Sequence, residues 1–519
     1  MKPRPLTLLS LAAGLLLLGP AKAQKPSELA PKDTIAAIRV PSLDWLEKTR
    51  DALSKATGKK VNLVDISFLT ELHDLSGVDR GKPFYVFVTK QVPMPWVALP
   101  VGNKDSFMKG SKLPGKPLTV GSFGLLSPAM VMADKAPELG QPLVEGLSEK
   151  GLAVRVLARN ALAAFGRQLM QFQAFAPMIA AQAAEGDPKK AQVFTQGIQT
   201  IFQVVNSLEL LDLNLDLSEG GKVALSGRIT PKEKSILGDL VKVFRPRPLP
   251  PSLVSDPLLW FSIDTPQMKE LPEEIQNLLK GMATLANGEA DKEKEDLFGS
   301  SVSFSAGISP AGRLLLGIVG TVKDPKALKP AFSSKEKTAA LVRDLVPGGL
   351  GKDDGFLSFL ENLLRKGEFQ PEALTVGDSA LAALQLPVEE LLKGLSPKDA
   401  EKFKKLLGDD SVQVLTGLVG QRLVMALGPK GEVAAVAKGL TRTGASKGIF
   451  SAGLSVKKLL QTITTLSGKT PPKGLDLSKL SSTPIRLLVT GDGKCIRGTL
   501  TGNLEALAAL ASILKEEGD

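Results

Sequence analysis

The segment Leu211-Asp212-Leu213-Asn214-Leu215-Asp216-Leu217-Ser218 decides the fold class, because a leucine alternates with a polar residue along its whole length. A period of two places the leucines on one face of a β-strand and the polar side chains on the other. Glu219-Gly220-Gly221-Lys222 then supplies a turn, and Val223, Leu225 and Ile229 continue the apolar pattern after it. The segment therefore predicts an antiparallel β-hairpin with one apolar face.

Four further stretches predict hairpins of the same kind, with apolar residues on both sides of a turn. They run over 84–101, 302–322, 412–436 and 485–500. In the third of these stretches we place the turn at Pro429-Lys430-Gly431-Glu432. The last stretch turns at Asp492-Gly493, a dipeptide that is typical of tight hairpin turns.

A second recurring pattern is a short apolar strand that leads directly into an amphipathic helix. It begins near residues 33, 152, 257, 374 and 448. These starts are too far apart and too unevenly spaced for a solenoid, whose repeats span roughly 20–50 residues. We therefore predict an α+β fold of diverged strand–helix and β-hairpin modules, whose antiparallel sheets are covered on one face by helices.

A proline-rich segment marks the predicted boundary between two domains. Its sequence is Arg245-Pro246-Arg247-Pro248-Leu249-Pro250-Pro251, and proline both stiffens a chain and interrupts helices and strand ladders. We predict that this linker at 245–251 separates an N-terminal α+β domain over 24–244 from a C-terminal α+β domain over 252–519.

Residues 1–23 have the three parts of a cleaved signal peptide. Lys2 and Arg4 precede an apolar stretch over 6–18, and Ala21-Lys22-Ala23 fits the small-x-small rule for cleavage. We therefore predict export to the periplasm or to the extracellular space.

The predicted mature chain lacks the sequence features of a nucleic-acid-binding or membrane-spanning protein. Loss of Lys2, Arg4 and Lys22 with the signal lowers the net charge from +11 to +8. No basic cluster contains interleaved aromatic residues, so we predict no nucleic-acid partner. No later apolar segment is long enough to span a membrane. A single cysteine excludes an internal disulfide, so packing must stabilise the exported chain.

The signal peptide and the strand–helix segments at 33–46 and 258–268 resemble those of certain exported bacterial proteins. Those proteins are built from repeated strand–helix and hairpin modules and are classed as domains of unknown function. The resemblance covers the layout of much of the chain. It implies an exported bacterial protein, and it brings no catalytic residue with it.

The chain has only one histidine and one cysteine, so most catalytic and metal-binding sites would lack residues that they need. Gly444-Ala445-Ser446-Lys447-Gly448 has the G-x-S-x-G pattern, but a strand-like segment follows it where a nucleophile elbow needs a helix. Gly377-Asp378-Ser379 lacks the downstream histidine of GDSL-type hydrolases. We expect His73 at the surface or at a helix end. We predict no catalytic residue, no metal site and no cofactor.

Three S-x-x-K spacings keep an enzyme open as the alternative. They occur at 106–109, 334–337 and 455–458. A hydrolase that uses serine with lysine, or a pair of carboxylates, is therefore the second hypothesis. The companion elements of a serine–lysine β-lactamase are missing.

A helical hairpin that is poor in charge and rich in methionine and phenylalanine supplies the candidate binding surface. Between Asn160 and Ala184 the only formal charge is that of Arg167, and a second helix follows Gly186-Asp187-Pro188. Apolar spacings of three and four mark a stripe on each helix. The stripes either pack onto the sheet or form a lid, wall or contact surface. The candidate residues are Phe165, Leu169, Met170, Phe172, Phe175, Met178, Phe194, Ile198 and Phe202.

We therefore predict an exported, non-enzymatic binding or scaffold protein. Its candidate partners are an apolar or lipid-like ligand held between sheet and helices, or another protein of the cell envelope. The sequence predicts no particular oligomeric state.

Overall fold

The computed structural model describes most of the chain, and all structural statements below refer to the described residues. These are residues 34–57, 66–90, 95–113, 117–127, 147–218, 221–287, 298–338, 341, 366–393, 397–408, 411–441, 447–467, 477–478 and 480–516. The predicted signal peptide and the serine of the G-x-S-x-G pattern lie outside them.

The chain alternates between strands and helices along its whole described length. The strands are β1 (Thr34–Val40), β2 (Phe84–Thr89), β3 (Trp96–Pro100), β4 (Leu118–Val120), β5 (Phe123–Leu126), β6 (Leu152–Leu157), β7 (Leu208–Ser218), β8 (Lys222–Pro231), β9 (Arg247–Pro248), β10 (Leu259–Asp264), β11 (Phe298–Ile308), β12 (Leu314–Val322), β13 (Glu368–Val376), β14 (Ser379–Pro387), β15 (Ser411–Val419), β16 (Arg422–Pro429), β17 (Lys447–Gly448), β18 (Phe450–Leu454), β19 (Ile485–Gly491) and β20 (Ile496–Asn503).

The α-helices fall between these strands. They are α1 (Leu43–Thr57), α2 (Ile66–Leu72), α3 (Lys104–Gly110), α4 (Ala158–Ala183), α5 (Pro188–Asn206), α6 (Ile236–Val243), α7 (Glu273–Asn287), α8 (Pro325–Leu328), α9 (Val388–Leu392), α10 (Pro397–Leu407), α11 (Val433–Ala437), α12 (Val456–Ser467) and α13 (Leu504–Glu516). Short 3₁₀ turns occupy Met268–Glu270, Lys329–Phe332 and Lys438–Thr441.

The chain divides into two compact units. The first contains Met1–Gly186, Ile198–Asp239 and Lys494–Ala508. Its antiparallel sheet has the strand order β4–β5–β3–β2–β1–β6–β7–β8–β20. The C-terminal segment with β20 therefore completes the sheet that the N-terminal strands begin.

The second unit contains Asp187–Gly197, Leu240–Gly493 and Ala509–Asp519. Its antiparallel sheet has the order β13–β14–β15–β16–β12–β11–β10–β18–β19. A separate pair joins β9, within the proline-rich segment, to β17. Leu249 of that segment is buried in this unit. The predicted domain limits at 244 and 252 stay a prediction.

Both sheets are built from one recurring module of strand, helix, two further strands and a second helix. The first strand of each module is β1, β6, β10, β14 or β18. The third strand of each module is β3, β8, β12, β16 or β20. Neighbouring modules pair through strands of the same position. Two first strands pair in β1 with β6 and in β10 with β18, and two third strands pair in β8 with β20 and in β12 with β16. The predicted α+β fold of strand–helix and hairpin modules is confirmed.

Two predicted details in the fourth module are wrong. The hairpin of β15 and β16 turns at Gly420-Gln421 rather than at Pro429-Lys430-Gly431-Glu432, where the chain instead enters α11. The stretch at 374–384 is two strands, because Gly377 turns the chain between β13 and β14. Both glycines have a φ of +60°, a left-handed backbone that glycine adopts without strain.

The core of the first module lies on both faces of its sheet. Val86 and Val97 share a buried cluster with Leu46 of α1, so this face is covered by helix. Phe87 and Trp96 point to the opposite face, where they are also buried. The strands of this module are therefore near-continuously apolar, with β3 buried at every position.

A glycine in β18 allows a tryptophan to lie flat on the sheet of the second unit. Gly453 is paired with Trp260 across the strands, and a Cβ at Gly453 would lie 1.9 Å from Cη2 of that ring. The Arg486 guanidinium lies 5.7 Å from the ring centroid. The close approach of strand and ring therefore depends on the missing side chain.

We expect Gly453→Ala to lower the free energy of unfolding by roughly 1–3 kcal/mol, because the indole must move to admit the methyl group. Urea unfolding followed by circular dichroism measures the change. Gly498→Ala in β20 is the matched control, since nothing lies within 4 Å of the added carbon there. Equal midpoints for the two variants would contradict the packing of Trp260 on Gly453.

Candidate functional site

The predicted helical hairpin is present as α4 and α5. Glu185 and Gly186 end α4 in left-handed conformations, with φ of 51° and 86°. Asp187 then starts α5, because its Oδ1 accepts hydrogen bonds from the N–H groups of Lys189 and Lys190 at 2.9 and 3.2 Å. The first turn of α5 is therefore capped by a side chain of the turn.

Small residues attach α4 to the sheet of the first unit. Ala158, Ala176 and Ala180 form its buried face, and the helix contacts β1, β6 and β7. The Asn160 side chain donates a hydrogen bond of 2.7 Å to the Thr34 carbonyl in β1. Alanine has no bulk beyond its methyl group, so the helix lies close to the strands and its large side chains point elsewhere.

Most of the predicted surface residues are exposed. Phe165, Met170, Phe172, Phe175, Met178 and Phe194 are exposed, whereas Leu169, Ile198 and Phe202 are half-buried. Met170 is 70% exposed and Phe172 65% exposed, which are large fractions for apolar side chains. The predicted packing of the hairpin onto the sheet therefore holds for α4 through its alanines, whereas the six exposed side chains do not take part in it.

Four of the exposed side chains lie along one side of α4. Phe165, Phe172, Phe175 and Ile179, which we call the α4 stripe, are spaced seven, three and four residues apart. Ile179, and Ile201 on α5, which is 62% exposed, belong to the predicted apolar stripes but were not among the candidate residues. Both continue the spacing of three and four that the candidate residues follow, so the helical period of the sequence is enough to identify them.

The sheet of the first unit leaves leucines partly exposed as well. Leu213 of β7 and Leu225 of β8 are each about two-fifths exposed. They belong to the alternating leucines, while Asp212 and Asn214 occupy the other face. The apolar face of this hairpin is therefore incompletely covered by helix.

The second unit, taken by itself, also exposes apolar side chains of its sheet. Phe261 and Phe304 are stacked with ring centroids 5.4 Å apart. Leu259, Phe261, Val302 and Leu487 are each more than a third exposed. The register places all of them on one face of β10, β11 and β19.

The single histidine follows the end of α2, as one of the two predicted alternatives had it, but it is not at the surface. His73 is fully buried and stacked on Phe107, with ring centroids 4.3 Å apart. The Leu75 N–H donates to Nδ1 at 2.8 Å, so Nε2 carries the proton and donates to the Phe107 carbonyl at 2.7 Å. Nδ1 therefore holds the chain just after α2, and Nε2 joins this segment to α3.

The single tyrosine is buried as well. Burial raises the pKa of Tyr85, and the Arg39 guanidinium, which hydrogen-bonds to its hydroxyl, opposes the shift. The phenol therefore stays protonated at neutral pH. The single cysteine, Cys495, is buried directly before the start of β20.

Two of the three serine–lysine spacings make contacts that differ from those of a catalytic pair. Ser334 Oγ accepts from the N–H of Lys337 at 3.4 Å, which is a turn contact. Ser455 Oγ is buried and has no hydrogen-bond partner, but the Lys458 ammonium forms an ion pair with Asp256. Neither lysine is therefore placed to activate its serine.

We expect Ala180→Leu to destabilise the protein by roughly 1–3 kcal/mol, because Ala180 is fully buried and the larger side chain would overpack α4 against the sheet. Met170→Gln, on an exposed position of the same helix, should change stability by less than about 0.5 kcal/mol. Urea unfolding of both variants tests the assignment. A larger loss of stability in Met170→Gln than in Ala180→Leu would show that the helix packs its other side against the sheet.

Within the described part of the chain, no helix is long and apolar enough to cross a membrane. Comparison with families of known proteins, with curated proteins and with solved structures finds no match for this chain. The functional argument therefore starts from its own exposed apolar surfaces and polar cavities.

Proposed function

We propose that the protein is an exported, non-enzymatic binding protein that takes an apolar or lipid-like ligand on the α4 stripe. The observation that carries this proposal is the exposure of three phenylalanines and an isoleucine on one side of a single helix. Folded chains rarely leave large contiguous apolar surfaces in water, and such surfaces mark binding sites.

Burial of the stripe by a ligand supplies the driving force. Complete burial of a phenylalanine or isoleucine side chain by a ligand contributes about 1.5–3 kcal/mol to the free energy of binding. Phe172 and Phe175 are both more than half exposed, so much of this free energy is still available in the folded protein. Met178 lies beside the stripe and adds a flexible, polarizable side chain that adapts to different acyl chains.

The charges of α4 suit a lipid-like ligand with an anionic head. The helix contains no acidic residue, and its charges are those of Arg159 and Arg167. An apolar tail on the stripe and an acidic head group would therefore meet no repulsion from this helix. The partly exposed Leu213 and Leu225 extend the apolar surface of the same unit.

The hydrolase alternative has less support. A serine nucleophile needs a base within hydrogen-bonding reach, and Lys458 is instead paired with Asp256. Asp212 is held by Arg155 at 2.7 Å, so this carboxylate is engaged in an ion pair.

The test uses the chain from Gln24 onward and a fluorescent fatty acid as the probe. We expect saturable binding that weakens about tenfold or more in the double variant Phe172→Gln/Phe175→Gln, because two apolar contacts are lost. Gln173→Ala on the same helix is the control and should bind as the parent does. Lipid analysis of protein purified from its own host then identifies the natural ligand.

Two results would overturn the proposal. One is a parent protein that neither binds the probe nor carries lipid after purification. The other is equal affinity in the parent and in the double variant, which would place any ligand elsewhere.

A further inference from the structure

A cavity of about 360 Å³ lies on the sheet of the second unit, at the ends of β12, β13, β15 and β16. All of its lining residues belong to this unit. Its volume is at the lower end of the range of small-molecule pockets, which is roughly 300–1,000 Å³. The lining consists of Thr321, Val376, Gly377, Val419, Gln421, Arg422 and Leu440.

The strand register places part of this lining in one row on one face of the sheet. Thr321 of β12 lies opposite Arg422 of β16, and Arg422 lies opposite Val419 of β15. Residues that are paired across a ladder point to the same face. The next pair on this face, Val319 and Val424, lies two residues further into the sheet and is fully buried. The cavity therefore adjoins the apolar core of the unit.

Three apolar side chains form part of the wall of the cavity. Val376 and Leu440 are buried in the hydrophobic cluster on this face, and Val419 packs against that cluster. Gly377 and Gln421 are exposed, so the cavity opens to solvent at the strand ends. An apolar group of a ligand that entered from there would lose contact with water against the three side chains.

Arg422 supplies the only charge in the described lining. Its side chain is half-buried, and among the residues that the structure describes none forms a hydrogen bond or an ion pair with its guanidinium. The hydroxyl group of Thr321, by contrast, is engaged by Ser301, whose N–H donates to it at 3.1 Å. Asp378 follows Gly377 in the chain, but it is exposed and lies outside the lining. The guanidinium donors of Arg422 are therefore open to a ligand.

We propose that this cavity, which we call the Arg422 cavity, binds a small aliphatic monocarboxylate. A planar guanidinium presents two parallel donors that match the two oxygens of a carboxylate. One carboxylate balances the single positive charge of Arg422, and the side-chain amide of Gln421 supplies a further donor. The aliphatic part of the ligand packs against Val376, Val419 and Leu440.

The charge of the lining distinguishes a simple carboxylate from related metabolite classes. An α-amino acid adds an ammonium group, which Arg422 repels and which no aspartate or glutamate of the described lining pairs. A dicarboxylate adds a second negative charge, for which the described lining has no second cation. A single negative charge with an apolar chain therefore fits the lining best.

Calorimetric titration of the chain from Gln24 onward with hexanoate tests the site. We expect saturable binding that weakens about tenfold or more in Arg422→Gln, because this variant loses charged hydrogen bonds to the carboxylate. Arg228→Gln in β8 removes the same charge from a strand of the first unit and should stay within about twofold of the parent. Circular dichroism of both variants checks that they are folded.

A second variant keeps Arg422 and occupies its guanidinium. Val419→Glu places a carboxylate directly opposite Arg422 on the neighbouring strand, where opposite charges pair. Hexanoate binding should therefore weaken about tenfold or more although Arg422 is still present. Val419→Gln has nearly the same size without the charge, and it should bind hexanoate more tightly than Val419→Glu does.

Related compounds test the chemistry of the ligand. Hexanamide keeps the chain of hexanoate without the negative charge, and norleucine adds an ammonium group to hexanoate. Both should bind at least about tenfold more weakly than hexanoate. Three results would each overturn the proposal: absence of saturable hexanoate binding, equal affinity in the parent and in Arg422→Gln, or equal affinity for hexanoate and hexanamide.

The Arg422 cavity does not rest on the proposed function of the α4 stripe, and the two are tested independently. Phe172→Gln/Phe175→Gln should leave the affinity for hexanoate unchanged, because neither residue lines the cavity. Failure of hexanoate binding would therefore leave the fatty-acid result intact, and the reverse also holds.

Discussion

Antiparallel hydrogen bonding between like strands organises each of the two sheets. First strands pair with first strands, as in β1 with β6, and third strands pair with third strands, as in β12 with β16. Each such ladder covers a row of backbone N–H and C=O groups that would otherwise stay unpaired at a module edge. The ladders place the outer strands of different modules side by side, as with β20 next to β8.

The surface of the first unit depends on the size and the charge of its side chains. In α4 the alanines at 158, 176 and 180 are buried, which leaves the large apolar side chains in water. On the sheet, the polar alternates of β7 and β8 gather charge, and the Arg155–Asp212 pair cancels part of it. The first unit therefore combines an exposed apolar helix with a sheet face that carries charged side chains.

Much of the fold could be predicted from local patterns. Alternation along 211–229 predicted β7 and β8, and the charge-poor segment after Asn160 predicted α4. The turn at Gly420 was missed, because glycine and proline candidates lay close together in that stretch and only the backbone conformation distinguishes them. The burial of His73 was not predicted for a related reason: its partner Phe107 is 34 residues away, and no local pattern shows that contact.

The sequence by itself determined the period of each element, the position of most hairpins and the composition of the helical hairpin, because these depend on neighbours within a few residues. Only the tertiary structure decided that the phenylalanines of α4 face water and that alanines hold the helix to the sheet. Only the tertiary structure also brought Arg228 and Arg497 together, since they are far apart in sequence and meet through a strand ladder. The contact of α4 with the sheet and the ladder between β8 and β20 join residues that are far apart in sequence, and the period of a single element does not encode such contacts.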